Sequence, residues 1–222
     1  MKKLVFIISF VMIANLLFSQ EEKKEQTPPQ SQEMGFTILA QQLCDYGYAK
    51  KDPLSLLAAA KIISSNPVME FIPKTTSPEK TKGAVSTDPS ILLNPQKLLD
   101  DAKKMSDNDP SIVAISGQIT FPKSKGSPQG VQVIRDFITP GVTKEYTCVF
   151  LAGEIAEVAL IGDGRADLDL YVYDMDNNLV VRDIRTLTDA YVAFYPNNTT
   201  TFTIKVKNVS NNYSCEYVVG VN

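Results

Sequence analysis

The spacing of the apolar residues changes near residue 130, and this change limits what the chain can fold into. Before that point, apolar residues recur at the intervals of helices that bury one face. From residue 131 onward they alternate with polar residues, as they do along strands. The chain is therefore predicted to be an α+β protein, with a helical region at residues 36–120 and a β-rich domain at residues 131–222.

The β-rich domain contains about eight short runs of β-branched and aromatic residues, separated by turn-forming residues. The clearest turn signals are Pro140-Gly141, Asp163-Gly164 and Pro196-Asn197-Asn198. Several strands joined by short turns within about 92 residues are typical of a β-sandwich, and in particular of a jelly roll. We therefore expect a sandwich of about eight strands.

The helical region contains a repeated helix-start motif, in which an Asp or Asn precedes a proline. The Asp or Asn side chain can cap the helix, and proline lacks only an N–H that the first turn would leave unbonded. The motif occurs at Asp52-Pro53, Asn94-Pro95 and Asp109-Pro110. An earlier helix is predicted from the spacing of Phe36, Leu39, Ala40, Leu43 and Gly47. These helices are expected to pair as helical hairpins.

Three segments have the composition of connections between folded elements. Residues 20–35 are rich in Gln and charged residues and lack apolar periodicity, which predicts a disordered linker. Residues 67–89 are rich in Pro, Thr, Ser and Lys and are predicted to form a long loop. Residues 121–130 are predicted to be a hinge between the helical region and the β-rich domain.

Residues 1–19 have the pattern of a cleaved export signal. Lys2 and Lys3 precede an apolar stretch that ends at Phe18, and Ser19 supplies a small residue for cleavage. The alternative is a retained membrane anchor, but the stretch is shorter than the roughly 20 apolar residues that a transmembrane helix needs. We therefore expect an exported protein that is periplasmic, on the cell surface or secreted, with no stable membrane anchor after cleavage.

The sequence contains no histidine, and this excludes several classes of enzyme. Serine–histidine and cysteine–histidine catalytic pairs and histidine-ligated metal sites all need an imidazole. The formal net charge is −3, so the electrostatic attraction that supplies most non-specific affinity for nucleic acids is missing. No nucleic-acid partner is expected, whereas catalysis by carboxylates remains open.

Residues 131–222 carry motifs of a known family. The chain reads YTCVFLAGEIAEVALIGDGRADLDLYVYD, then AYVAFYP, and later TFTIKVKNVSNNYSCEYVV. The F-x-A-G-E step, the D-L-D-L-Y-V-Y-D strand and the F-x-P corner resemble the bacterial pre-peptidase C-terminal domain, a jelly-roll module appended to many secreted proteins. The family usually accompanies a peptidase domain, whereas the remainder of this chain is a short helical region.

Three carboxylates of this stretch are candidate ligands of a metal ion. Asp167 and Asp169 lie on one side of the same predicted strand, and Asp163 lies one turn upstream. Carboxylate and carbonyl oxygens suit calcium, and relatives of the module include some that bind it, so these three residues are predicted calcium ligands. The alternative is that Asp167 and Asp169 accept backbone hydrogen bonds or pair with Arg165 and Arg182.

Tyrosine side chains are the candidate ligand-binding residues. Tyr171, Tyr173 and Tyr191 are predicted to share the outer face of a sheet, where tyrosine often anchors a protein or sugar ligand. Cross-strand packing that protects the sheet is the alternative. The absence of tryptophan weakens the case for a carbohydrate-stacking platform. The expected partner is a protein or a polysaccharide outside the cytoplasm.

The chain contains three cysteines, and export would permit a disulfide bond between two of them. Cys148 lies in an early strand of the domain and Cys215 in the last strand, which jelly rolls often place side by side. These two residues are the candidate disulfide pair. Cys44 lies on the predicted first helix and, without a histidine to activate it, is expected to be a buried structural thiol.

These observations predict an exported, non-catalytic binding or accessory protein whose β-sandwich binds a protein or surface polymer, with calcium as a stabilising ion. The first alternative is an aspartate-dependent hydrolase, which needs two carboxylates that face one cleft. The second is a structural or assembly component of the cell envelope, whose helical region packs against another subunit.

Overall fold

The computed structural model describes residues 28–73, 90–121 and 130–222. The predicted signal peptide lies outside these residues, as do half of the predicted linker and most of the predicted loop and hinge. Within the described residues, helices occupy the first part of the chain and two β-sheets form a sandwich in the second. The α+β prediction is therefore confirmed.

The helices begin where their capping residues predict. Asp52 Oδ1 accepts the N–H of Leu54, and Asn94 and Asp109 cap the later helices in the same way. A 3₁₀ turn, Ile91–Leu93, precedes the third helix. No helix in the described ranges is both long and apolar enough to span a membrane. The helices are α1 (Gln32–Lys50), α2 (Pro53–Ser65), α3 (Pro95–Met105) and α4 (Pro110–Gln118).

Helix α1 differs from its prediction in its start and in its buried face. It begins at Gln32, inside the predicted linker, because Ser31 Oγ caps it by accepting the N–H of Met34. Leu39, which was predicted to face the core, is exposed, whereas Cys44 is buried as expected. The buried residues of α1 are Met34, Thr37, Ala40, Gln41, Cys44 and Gly47. The face is rotated because the helix packs on both α2 and a sheet.

Eight strands of the sandwich form two antiparallel sheets. A ninth, β1, pairs in parallel at the edge of one of them. The orders are β1-β2-β9-β4-β7 in the five-stranded sheet and β3-β8-β5-β6 in the four-stranded sheet. Apart from β5 and β6, which are neighbours in the four-stranded sheet, consecutive strands from β2 to β9 lie in opposite sheets, as in a jelly roll, which confirms that prediction. The strands are β1 (Met69–Glu70), β2 (Gln132–Ile138), β3 (Thr143–Phe150), β4 (Ala156–Gly162), β5 (Leu168–Tyr173), β6 (Leu179–Asp183), β7 (Ala190–Phe194), β8 (Thr200–Asn208) and β9 (Cys215–Val221).

The predicted helical region contributes a strand and a core side chain to the sandwich. In strand β1, Met69 pairs with Gln132 at the start of β2. The next residue after β1, Phe71, is buried in the sandwich core, with its ring centroid 6.4 Å from that of Tyr146. The sheet therefore crosses the predicted boundary between residues 36–120 and residues 131–222. A two-residue strand is too short to show a period of two in the sequence.

A buried polar cluster joins the two sheets. The hydroxyl of Tyr146 on β3 donates to Asp136 Oδ2 on β2 at 2.7 Å, and its oxygen lies 2.5 Å from the hydroxyl oxygen of Tyr217 on β9. Lys144 Nζ pairs with Asp136 Oδ1 at 2.5 Å. Burial raises the pKa of Tyr146 well above its ordinary value, so its hydroxyl remains a proton donor.

Helix α1 is held on the outer face of the five-stranded sheet by Glu157. This residue lies on β4 and is fully buried. Its carboxylate accepts hydrogen bonds from the backbone N–H of Ser31 at 2.8 Å, the hydroxyl of Tyr191 at 2.7 Å and the side-chain amide of Asn222 at 2.9 Å. A negative charge at the N-terminus of α1 is also favoured by the helix dipole. Glu157 therefore fixes where the helix begins on the sheet.

Apolar packing continues from this contact along the sheet. Met34 of α1 belongs to a cluster with side chains on the outer face of the five-stranded sheet. The sheet residues in the cluster are Val131, Val133, Ala159, Ile161 and Val218. Strand β4 is consequently buried on both faces along most of its length. The helices and the sandwich therefore share a second hydrophobic core.

We expect Glu157→Ala to lower the free energy of unfolding by roughly 3 kcal/mol, because three hydrogen-bond donors lose their buried acceptor. Chemical denaturation measures this change. Glu154→Ala is the matched control, since Glu154 is exposed in the loop just before β4 and should change the free energy by less than about 0.5 kcal/mol. Equal losses in the two variants would contradict the role of Glu157.

Candidate functional site

The outer face of the four-stranded sheet carries aromatic and charged side chains. The helices pack against the other sheet, so this face is not covered by them. Because side chains alternate along each strand, every second residue of β3, β5, β6 and β8 points outward. We call this surface the tyrosine face, and its central residues are Glu145, Asp169, Tyr171, Tyr173, Arg182, Thr203 and Lys205.

Strand pairing arranges these residues in rows across the sheet. Tyr171 pairs with Arg182 on one side and with Lys205 on the other, and Lys205 pairs with Glu145. The row therefore reads Arg, Tyr, Lys and Glu across four neighbouring strands. Tyr173 lies two residues further along β5. Two tyrosines and charges of both signs thus meet within a small area of the sheet.

Contacts within the face hold the two aromatic rings in place. The rings of Tyr171 and Tyr173 stack with centroids 6.4 Å apart and an interplanar angle of 26°. Lys205 Nζ lies 4.8 Å from the centroid of the Tyr173 ring and 2.8 Å from Glu145 Oε1. The Tyr171 hydroxyl donates to Asp169 Oδ2 at 2.8 Å. The side chains are therefore pre-organised, which lowers the entropy cost of binding a partner.

The protonation state of Tyr171 follows from its surroundings. Burial and, secondarily, the hydrogen bond to the Asp169 carboxylate raise the pKa of Tyr171 to about 12. The hydroxyl is therefore protonated at neutral pH, and its O–H is directed to Asp169.

Tyr191 does not share this face with Tyr171 and Tyr173. It lies on β7 in the five-stranded sheet, and its hydroxyl donates to the buried Glu157 beneath α1. Burial, followed by this hydrogen bond, raises the pKa of Tyr191. The predicted grouping of three tyrosines is therefore wrong for Tyr191, which helps to attach the helix to the sheet.

The three predicted calcium ligands have separate surroundings. Asp163 pairs with the guanidinium of Arg165 and accepts the backbone N–H of Glu216 at 3.0 Å. Burial acts in the opposite direction, but these hydrogen bonds hold the pKa of Asp163 below its ordinary value. Asp169 accepts the hydroxyl of Tyr171. Asp167 Oδ1 is buried and accepts no hydrogen bond from the described residues.

These three residues do not gather into a metal site. Across residues 28–73, 90–121 and 130–222, no group of three or more Asp, Glu or Cys side chains is arranged to hold a metal ion. Arg165 pairs with Asp163 and not with Asp167 or Asp169, and Asp169 accepts a tyrosine hydroxyl in place of the backbone or arginine donors of the alternative. Calcium binding by Asp163, Asp167 and Asp169 stays a prediction.

The predicted disulfide between Cys148 and Cys215 does not form. Cys148 lies on β3 in the four-stranded sheet, whereas Cys215 lies on β9 in the five-stranded sheet, and their sulfur atoms are not bonded. The prediction assumed neighbouring strands, but β9 pairs with β2 and β4. Burial raises the pKa of the Cys215 thiol to about 12, and Sγ donates to Asp163 Oδ1 at 3.2 Å.

Besides the tyrosine face, the structure contains a recess between α1 and the five-stranded sheet, which we call the helix–sheet cleft. Its volume is about 230 Å³. Gln41, Cys44 and Asp45 line it from the helix, and Ile161, Asp163 and Val218 line it from the sheet side. Burial raises the pKa of Cys44 to about 12, so this thiol is protonated and not a nucleophile at neutral pH.

Sequence reasoning missed Glu145 and Lys205 of the tyrosine face and Gln41 and Asp45 of the cleft. The alternation along β8 indicates that Lys205 points outward, but its pairing with Tyr171 depends on strand order. Gln41 and Asp45 are four residues apart on one helix, a spacing that favours a side-chain hydrogen bond. The sequence therefore indicates the contact between Gln41 and Asp45. It does not indicate which sheet packs against the helix and forms the other wall of the cleft.

Comparison with known proteins gives only distant likenesses. No protein-family model and no curated protein matches this chain. A periplasmic inhibitor of g-type lysozyme from Aeromonas hydrophila is 13% identical, with a TM-score of 0.33, over 41% of this chain and 84% of its own. The pre-peptidase C-terminal domain of a Bacillus anthracis collagenase is 12% identical, with a TM-score of 0.34, over 41% of this chain and 88% of its own. Neither similarity is high enough to assign a function.

We expect Asp169→Asn to lower the pKa of Tyr171 from about 12 part of the way toward its ordinary value of 10. The neutral amide no longer disfavours the phenolate, while burial still does. NMR titration of protein labelled at the tyrosine ring carbons measures the change. Asp176→Asn, an identical substitution at an exposed turn residue, should leave Tyr171 unaffected. An unaltered pKa in Asp169→Asn would show that this carboxylate does not act on Tyr171.

Proposed function

We propose that this chain is an exported, non-catalytic binding protein whose tyrosine face recognises a protein partner. The observation that carries the proposal is the pre-organised row of Arg182, Tyr171, Lys205 and Glu145 on a sheet face that the described helices do not cover. Tyrosine and arginine are enriched where protein interfaces make their strongest contacts. Charges of both signs in a fixed pattern also favour a partner with a complementary pattern.

A protein is favoured over a polysaccharide because the ring faces are already engaged. Tyr171 and Tyr173 stack on each other, and Lys205 lies over the ring of Tyr173. A sugar platform needs aromatic faces that remain available for stacking. Ring edges and neighbouring charged groups remain for a partner here, which suits the side chains and backbone of a protein surface.

The aspartate-dependent hydrolase is the less favoured alternative. Asp45 and Asp163 line the same cleft, and their pKa values move in opposite directions, as those of an acid and base pair do. Both carboxylate oxygens of Asp163 are, however, committed to donors from Arg165, Cys215 and Glu216. An oxygen held in this way is poorly placed to activate water or to attack a substrate.

Export and an accessory role complete the proposal. Residues 1–19 have the pattern of a cleaved signal, and residues 131–222 resemble the pre-peptidase C-terminal domain of secreted proteins. A periplasmic, cell-surface or secreted location follows from the signal. A role as an envelope assembly component would require self-association, which light scattering of the purified protein would detect.

We expect Tyr171→Ala with Tyr173→Ala to weaken binding to the partner by at least roughly tenfold, because the two aromatic anchors are lost. Capture of envelope proteins and polysaccharides from the host by the immobilised protein identifies the partner, and titration then measures affinity. The matched control is Tyr195→Ala with Tyr213→Ala, which removes two exposed tyrosines outside the face.

The control pair should bind as the unaltered protein does. Capture of polysaccharide alone, lost in Tyr171→Ala with Tyr173→Ala, would replace the protein partner with a polymer. Equal capture by the two double variants would exclude the tyrosine face as the binding site.

A further inference from the structure

Gln41 lines the helix–sheet cleft and carries an unused hydrogen-bond acceptor. Its side chain is 7% exposed, and its Nε2 donates to Asp45 Oδ1 at 2.9 Å. Its Oε1 is buried and accepts no hydrogen bond from any residue that the structure describes. Buried side-chain acceptors are nearly always bonded in folded proteins. This oxygen therefore lacks a hydrogen-bond donor. Because Gln41 lines the cleft, a ligand bound there can supply one.

The orientation of the Gln41 amide is fixed by Asp45. Rotating the amide by half a turn would place Oε1 against the Asp45 carboxylate, and two acceptors would then face each other. Nε2 must therefore face the carboxylate, and Oε1 must face away from it. Gln41 Oε1 therefore keeps this orientation for as long as Asp45 is ionised.

Asp45 also lines the cleft, and its carboxylate forms no ion pair with the residues that the structure describes. Arg135 pairs with Glu216, Arg165 pairs with Asp163, and Lys97, which also lines the cleft, pairs with Asp101. The hydrogen bond that the structure gives to the Asp45 side chain is the one from the Gln41 amide, which carries no charge. A ligand with a positive charge and N–H donors would satisfy both Asp45 and Gln41 Oε1.

The other residues that line the cleft limit the size and polarity of the rest of the ligand. Ile91, Ile161 and Val218 supply an apolar surface. The volume of about 230 Å³ is below the range of drug-sized pockets and suits a short chain of a few carbon atoms. A calcium ion takes about six to eight oxygen ligands, more than Gln41 and Asp45 can provide. An organic cation with an alkyl chain fits both the polar and the apolar parts.

We propose that the helix–sheet cleft binds a primary alkylammonium group, with the ammonium held by Gln41 Oε1 and the Asp45 carboxylate and the alkyl chain against Ile161 and Val218. The group can come from a free alkylamine or from the lysine side chain of a polypeptide. The cleft lies on the five-stranded sheet, so this site is separate from the tyrosine face and goes beyond the proposed function.

Binding should depend on pH through Asp45. Burial first, and then the charges of Asp189 and Asp163, raise its pKa to about 6, against the opposing effects of the Gln41 hydrogen bond and of Arg135. An ammonium ion favours the ionised carboxylate, so binding releases a proton when Asp45 is protonated beforehand. Affinity is therefore highest above about pH 6 and falls as the pH decreases through that value.

The first test compares n-pentylammonium with 1-pentanol, a neutral molecule of similar size, by NMR titration of the purified protein. We expect pentylammonium to shift the side-chain amide signals of Gln41 and to bind at least roughly tenfold more tightly than pentanol. Gln41→Leu and Asp45→Asn should each weaken pentylammonium binding by a similar factor. Asp176→Asn, the same substitution at a distant exposed residue, should have no effect.

A second titration distinguishes the two sources of the ammonium group. Binding of N-acetyl-lysine-N-methylamide, lost when its side chain is acetylated, would support a lysine side chain, whereas binding of pentylammonium alone would support a free amine. Equal affinities for pentylammonium and pentanol, or no shift of the Gln41 signals at millimolar concentration, would overturn the proposal. If Gln41→Leu does not fold, Asp45→Asn carries the test, because asparagine keeps the size of the aspartate side chain and removes its charge.

Discussion

The buried carboxylate of Glu157 is the contact on which the arrangement of this protein depends. It joins the first residue before α1, a tyrosine of β7 and the last residue of the chain. A buried charge is tolerated only when donors surround it, so these partners must be in place together. The helices are thereby fixed on one face of the sandwich, and the apolar residues of strand β4 are covered on both sides.

Covering one sheet leaves the two outer faces of the sandwich chemically different. The five-stranded sheet is apolar on its outside and forms a second core with α1, except where polar residues line the helix–sheet cleft. The four-stranded sheet presents tyrosines and paired charges instead. The position of the helices therefore determines both proposed binding surfaces. The tyrosine face stays open because the helices pack on the other sheet, and the helix–sheet cleft exists because α1 forms one of its walls.

Much of the secondary structure could be predicted because its signals are local. The Asp-Pro and Asn-Pro helix starts and the eight runs of alternating residues correspond to observed helices and strands. The predictions that failed needed knowledge of neighbours distant in sequence. Leu39 was assigned to the core without the sheet that rotates the buried face of α1, Tyr191 was grouped with residues of the other sheet, and Cys148 and Cys215 were assigned to neighbouring strands.

The sequence by itself determined the starts of α2, α3 and α4, the eight strands from β2 to β9 and the alternation that directs Tyr171 and Tyr173 outward, because these depend on residues within a few positions of one another. Only the tertiary structure decided which strands pair, which sheet the helices cover and where Gln41 and Asp45 meet an apolar wall. Ser31 and Glu157, for example, are 126 residues apart. Contacts of this kind depend on how whole sheets and helices pack, and no local pattern specifies that packing.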